Sequence, residues 1–255
     1  EKYIYMEFFI LAEGEMWDAI HKVLSEKASN GVEVRVIFDD FGSIKRQHKD
    51  FIVNLRAEGI DVSVFNPIKP SMNIFMNNRN HRKIVVIDGK TAFTGGFNIG
   101  DEYINKMIRF GHWLDSGIML HGEAVKSFLA MFCCMWEFTT GEQLDISSHI
   151  SDFSAADDGF VLPYCDGPLN NKNPAEGIYM QILNTAQKYV YIASPYLIID
   201  NTMTSILCMA ARSGIDVRIV TPHIPDKWYV HPVTQYSYLE LLEAGVRIFE
   251  YTPGF

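Results

Sequence analysis

His81 and Lys83 stand two residues apart in the stretch Asn80-His-Arg-Lys-Ile-Val-Val-Ile-Asp-Gly-Lys-Thr-Ala-Phe-Thr-Gly-Gly-Phe-Asn, which continues through Asp88, Gly95 and Gly96 to Asn98. Side chains at i and i+2 of a strand share a face, so an imidazole and an ammonium are aimed at one point. That pairing suits a phosphodiester. Imidazole can attack phosphorus and split one hard displacement into two easier ones. Lysine neutralises the non-bridging oxygens through charge-assisted hydrogen bonds. Gly95 and Gly96 are expected to let backbone amides approach an anion, and Asn98 to add a side-chain donor. His-x-Lys occurs once among the eight histidines, and His48, followed directly by Lys49, lacks the spacing.

The elements that must position these groups alternate between strand and helix, the pattern of an α/β fold. Tyr3–Phe9 reads as a strand, and Met16, Ala19, Ile20, Val23 and Leu24 follow helical spacing. Val32–Phe38 is a strand, Lys49–Ala57 a helix and Asp61–Phe65 a short strand. Ile84–Ile87 and Thr91–Phe93 flank Asp88-Gly89-Lys90, and Asp-Gly between apolar runs signals a hairpin. His112–Leu120 is a further strand. Ala124–Phe138 is a helix whose Met and aromatic residues are expected in the core. Gly141–Asp158, rich in Ser, Asp and Ala, reads as a connector.

After the connector the pattern starts again. Asn30-Gly-Val-Glu-Val-Arg-Val-Ile is matched by Ser213-Gly-Ile-Asp-Val-Arg-Ile-Val, and Tyr3-Ile-Tyr-Met by Tyr189-Val-Tyr-Ile. The glycine-to-proline distance also recurs, Gly59 to Pro67 and Gly245 to Pro253. Co-linear order of three matches predicts a duplicated unit. Residues 1–140 are expected to form the first repeat, 141–175 a connector and the start of the second, and 176–255 the N-terminal part of the second. In the first half His81 follows Pro67 by fourteen residues, whereas Phe255 lies two residues past Pro253. The second copy therefore reads as truncated before its own histidine, and the chain, which begins without Met inside a strand, as a piece of a longer protein.

With 48% hydrophobic and 21% charged residues there is ample material for a core. The net charge of −9 argues against a general nucleic-acid coat. Cys133, Cys134, Cys165 and Cys208 fit neither a zinc spacing nor a disulfide framework and read as buried, reduced thiols. His112, His121, His149, His223 and His231 have no ligand-like grouping, and the chemistry proposed for His81 needs no metal or organic cofactor. No apolar run is long enough to span a bilayer. Arg79, Arg82 and Lys90 flank the motif as a possible basic rim, although alternation points Arg82 away from His81 into an ion-paired or solvated role.

The spacing H-x-K-x4-D-x6-G-[GS]-x-N resembles the HKD motif of the phospholipase D superfamily. Asn80-His-Arg-Lys-Ile-Val-Val-Ile-Asp-Gly-Lys, Gly95-Gly-Phe-Asn-Ile-Gly-Asp-Glu-Tyr, Ser194-Pro-Tyr, Ala211-Arg-Ser-Gly-Ile-Asp-Val-Arg-Ile and Leu241-Leu-Glu-Ala-Gly-Val-Arg-Ile-Phe-Glu-Tyr are similar to bacterial cardiolipin synthases. The resemblance implies a phospholipase D-like fold of tandem repeats, mixed sheets flanked by helices, with a second H-x-K motif beyond Phe255. It also implies a carboxylate that orients the histidine. Asp88 lies five residues past Lys83 at about 3.3 Å per residue, too far to be the obvious partner. Asp115, expected on the following strand, is the candidate, and Asp88 is expected to tie the hairpin. Where the family commonly has Trp-Arg-Asp-Thr-His, this chain has Trp113-Leu-Asp-Ser-Gly, so headgroup contacts from that arginine or histidine are not expected.

The resemblance implies phosphatidyl transfer between two phosphatidylglycerol molecules at the cytoplasmic face of the bacterial cell membrane, with any anchor outside this stretch. Which of two motif histidines is nucleophile and which is acid stays open at this level. A phospholipase D or nuclease using water as acceptor, or a non-catalytic lipid-binding repeat, are the competing readings.

Overall fold

Every residue of the first strand is buried, as a strand sandwiched between two helical layers requires. The computed structural model describes residues 2–68, 77–150, 159–167 and 173–255. The chain divides into two compact units, Glu1–Met107 with Asp115–Tyr164, and Ile108–Leu114 with Cys165–Phe255. The sequence suggested contiguous repeats, whereas Ile108–Leu114 belongs with the second unit.

In the first unit the elements run β1 (Tyr3–Phe8), α1 (Glu15–Ser29), β2 (Glu33–Asp39), α2 (Asp40–Ser43), α3 (Phe51–Ala57), β3 (Ile60–Phe65), β4 (Ile84–Ile87), β5 (Thr91–Gly95), β6 (Gly117–His121), α4 (Val125–Thr140) and α5 (Ile146–His149). The six strands form one sheet in the order β3-β2-β1-β4-β5-β6. β1, β2 and β3 are parallel, joined by helical crossovers, while β4, β5 and β6 are antiparallel. Alternation along β1 divides its side chains between two cores. Ile4, Met6 and Phe8 pack with Trp17, Leu24, Phe51 and Leu55 of α1 and α3. Tyr3 and Tyr5 pack with Val125, Phe128, Leu129, Phe132 and Trp136 of α4. The expected helix of Met and aromatic residues is thus a core helix. Tyr5 stacks on Phe132 with ring centroids 4.7 Å apart.

The hairpin joining β4 and β5 turns through Asp88 at φ 53° and Gly89 at φ 61°, the doubly left-handed geometry that an Asp-Gly pair accommodates. Asp88 Oδ1 accepts hydrogen bonds from the backbone amides of Lys2, at 2.6 Å, and Tyr3, at 3.0 Å, so the turn is tied to the start of β1.

In the second unit the elements are α6 (Pro174–Thr185), β7 (Tyr189–Ala193), α7 (Asn201–Arg212), β8 (Asp216–Pro222), α8 (His231–Tyr236), α9 (Tyr238–Glu243) and β9 (Arg247–Tyr251). Its sheet, β7-β8-β9, is parallel throughout and repeats the β1-β2-β3 order. The duplication extends to side chains. In the first unit the Tyr5 hydroxyl donates to Glu33 at 2.8 Å and Arg35 pairs with the same carboxylate. In the second, the Tyr191 hydroxyl donates to Asp216 at 2.9 Å and Arg218 pairs with that carboxylate.

Three expectations need correction. The strand foreseen over His112–Leu120 begins only at Gly117. The His112 and Leu114 amides instead donate to the Pro253 and Phe255 carbonyls within the second unit. Asp115 consequently precedes β6 rather than lying on it. Cys133 and Cys208 are buried thiols, but Cys134, next to Cys133 on α4, and Cys165, in an irregular stretch, are exposed. Part of the expected connector, residues 151–158, lies outside the described residues. No helix among the described residues is long and apolar enough to cross a membrane.

Because Phe132 is fully buried and stacked on Tyr5, Phe132→Ala is expected to lower stability by about 3–5 kcal/mol. A lower denaturant midpoint at unchanged slope in equilibrium unfolding checks this.

Candidate active site

His81 and Lys83 occupy a lead-in to β4 that lies outside the assigned strand, which starts at Ile84. The extended backbone nevertheless puts both on one side, as the two-residue spacing predicts. Lys83 Nζ lies 3.0 Å from His81 Nδ1 and 3.3 Å from Nε2, and donates to the His81 carbonyl at 2.7 Å. An ammonium only donates, so in this contact Lys83 is the donor and a ring nitrogen of His81 the acceptor.

The environments of the two residues differ. His81 is exposed, open to a reactant, whereas Lys83 is 5% exposed. Burial pulls the lysine down to about 8, and the nearby Asp115 carboxylate opposes that fall. Phe9, just past the end of β1, supplies an apolar wall. Its ring centroid is 4.7 Å from that of His81, and Lys83 Nζ lies 5.6 Å from it, within cation–π range.

Asp115 is exposed and accepts a hydrogen bond from the Ser116 amide at 2.8 Å. Gly96 explains its position. A Cβ on Gly96 would meet Asp115 Oδ1 at 2.3 Å, and one on Gly95 would meet the Ser116 carbonyl at 2.6 Å. The paired glycines are therefore needed for the close approach of residues 115–117. This differs from the expectation that the glycine amides face an anion, because the Gly96 amide already donates to the Ser116 carbonyl at 3.1 Å.

Asn98 is 4% exposed and bridges two backbone segments. Its Oδ1 accepts from the Ile10 amide at 2.9 Å and its Nδ2 donates to the Tyr103 hydroxyl at 2.9 Å. It thereby fixes the chain after the glycines against the chain after β1. Asp101, three residues on, accepts from the Glu15 and Met16 amides and caps α1. Asp88, grouped with the motif by spacing, has Oδ1 committed to Lys2 and Tyr3 at the far end of β4.

The basic rim does not form from Arg79 and Arg82. Arg79 faces Asp39 and donates to the Asn66 carbonyl, and Arg82 pairs with Glu7 at 2.7 Å, the ion-paired role that alternation assigned to it. Three residues near the pair escaped the sequence reading: Glu7, Phe9 and Asn80. The available signal was Glu7 itself, a lone acid in the apolar run Tyr3-Ile-Tyr-Met-Glu-Phe-Phe. Among the described residues no group of three or more His, Cys, Asp or Glu is arranged to hold a metal ion.

The chain matches the family described as "Cardiolipin synthase, PLD-like domain" over residues 1–132 and 179–255. An uncharacterized protein of Streptococcus mutans is 44% identical over 257 residues, covering 100% of this chain and 56% of that protein. The cardiolipin synthase of Halalkalibacterium halodurans is 40% identical over 99% of this chain and 51% of its own length. That of Geobacillus kaustophilus is 38% identical over 100% of this chain and 51% of its own length. The chain thus spans about half the length of the curated relatives it matches. The crystal structure of phosphatidylserine synthase from Haemophilus influenzae superposes with a TM-score of 0.57 at 16% identity, covering 87% of this chain and 56% of that one, a likeness of fold. With a matching family over both halves and the His81–Lys83 pair assembled at the start of the central strand β4, the chain belongs to the cardiolipin synthase family of phospholipase D-like domains.

Proposed function

We propose that this chain is part of an enzyme that transfers a phosphatidyl group between two phosphatidylglycerol molecules, releasing cardiolipin and glycerol. The observation that carries the reading is the exposed His81 imidazole held 3.0 Å from the buried Lys83 ammonium, in a chain about 40% identical to cardiolipin synthases.

In the first step a motif histidine attacks the phosphorus of one phosphatidylglycerol. A nitrogen–phosphorus bond forms, the bond to the glycerol headgroup oxygen breaks, and a second motif histidine, outside this sequence, protonates the departing glycerol. In the second step that partner takes a proton from a hydroxyl of another phosphatidylglycerol, whose oxygen attacks phosphorus and releases the histidine. His81 fits either role. Lys83 neutralises the phosphoryl oxygens as charge builds on them. Asp115 orients the His81 ring and supports its charge when phosphorylated or protonated. No metal or organic cofactor enters the steps. The substrate resides in a bilayer, so the intact protein works at a membrane surface, which we place at the cytoplasmic face.

Labelled phosphatidylglycerol supplied to the full-length protein is expected to yield cardiolipin and glycerol. Phosphatidic acid as sole product would overturn transfer in favour of hydrolysis. His81→Ala is expected to abolish turnover while leaving the unfolding transition in place. The 255-residue chain alone, with one His-x-Lys, is expected to be inactive as a monomer.

The lysine adds a pH signature. Lys83 must be charged to bind the phosphoryl oxygens, and burial has lowered it, so its contribution is complete below about 8 and lost as pH rises through that value. The alkaline limb of kcat/KM is expected near pH 8, and Lys83→Arg, charged throughout, should remove that limb from whatever activity it retains. Gly96→Ala, which displaces the Asp115 carboxylate, is expected to lower kcat on the order of 100-fold with KM little changed.

A further inference from the structure

The His-x-Lys segment precedes β4, so something other than the strand ladder must hold it in place. Its two flanking positions, Asn80 and Arg82, alternate to the opposite face from His81 and Lys83, the face that Ile84 and Val86 continue into the α4 core. Two buried carboxylates meet them there. Glu7 of β1 is 0% exposed, and its Oε1 accepts from Asn80 Nδ2 at 2.7 Å and pairs with Arg82 Nε at 2.7 Å. Asp39, at the end of β2 and also 0% exposed, accepts from the Asn80 backbone amide at 3.0 Å. Asn80 Oδ1 then accepts from the Arg82 amide at 3.3 Å, closing the brace across His81.

The geometry points to Glu7 as a positioning residue for His81, acting through Asn80 and Arg82; this rests on the reading of His81 as a phosphoryl-transfer group. Both neighbours of the histidine are fastened to one carboxylate from the adjacent strand. Rotation of the segment that would swing His81 off the Lys83 ammonium must break either the Asn80 or the Arg82 bond. The carboxylate is an expensive choice for a core position, since burial disfavours its charge and its Oε2 has no hydrogen-bond partner among the described residues. An apolar residue there would complete the run of Tyr3 and Tyr5 against α4 at lower cost, but it would release the segment. A half-satisfied buried acid is retained where its hydrogen bonds set a geometry that packing alone leaves loose.

In the full-length enzyme, Glu7→Met keeps the volume and removes both acceptors. Its kcat is expected to fall on the order of 100-fold with KM within about twofold, because the misplacement affects the reacting geometry rather than lipid binding. Glu7→Gln, which keeps one acceptor oxygen for Asn80, should recover much of the loss. Asn80→Ala should reproduce it and add little in the Glu7→Met background, as residues acting through one another do. A folded Glu7→Met enzyme with wild-type kcat, or losses that multiply fully in the double variant, would overturn the proposal. If Glu7→Met does not fold, Asn80→Ala carries the same expectation, and unchanged kcat there is equally fatal. Should the wild-type protein turn over no phosphatidylglycerol, the functional reading fails on its own. Positioning is then judged by the His81 ring resonances, which must shift or broaden in Glu7→Met and stay put if Glu7 is merely structural.

Discussion

A lysine ammonium held 3.0 Å from an imidazole while almost fully buried is the interaction on which the rest of the site depends. Removing a charge from water is costly, and the cost shows as the lowered proton affinity of Lys83. The surroundings offset it piecemeal. The His81 carbonyl accepts one ammonium hydrogen, a ring nitrogen accepts another, the Phe9 face lies within cation–π range, and Asp115 contributes opposite charge.

Close packing of backbone decides where that opposite charge sits. The tight approach of residues 115–117 to Gly95 and Gly96 leaves no room for a Cβ at either glycine, and the Asp115 carboxylate lies in the space that Gly96 vacates. Asn98 and Asp101 then fasten the following segment to Ile10 and to the start of α1. The glycines, asparagine and second aspartate are thereby parts of one framework. They brace the strand ends around His81 by hydrogen bonds between segments more than eighty residues apart in sequence.

The duplicated architecture carries a physical trace beyond its strand order. A tyrosine hydroxyl, an acid and an arginine recur as Tyr5, Glu33 and Arg35 and as Tyr191, Asp216 and Arg218. In the first unit the tyrosine is fully buried under α4, and in the second it is 56% exposed. Similar local chemistry is therefore compatible with two degrees of burial, because the strand pairing sets the triad while the covering layer sets its solvation.

Much of the fold was legible because its signals are local. Short apolar runs, with alternating charges in β2, marked β1 through β5, Asp-Gly marked the hairpin, and the internal matches marked the second unit. Two-residue spacing correctly put His81 and Lys83 side by side. The start of β6 was misjudged because residues 112–114 find their hydrogen-bond partners at Pro253 and Phe255, which no local pattern reveals. Burial of Lys83, the packing reason for the glycines, the commitment of Asp88 to β1 and the brace from Glu7 and Asp39 were decided only by the tertiary structure. Periodicity determines which face a residue takes; which group waits there, 41 or 73 residues away for Asn80, is settled only when the strands come together.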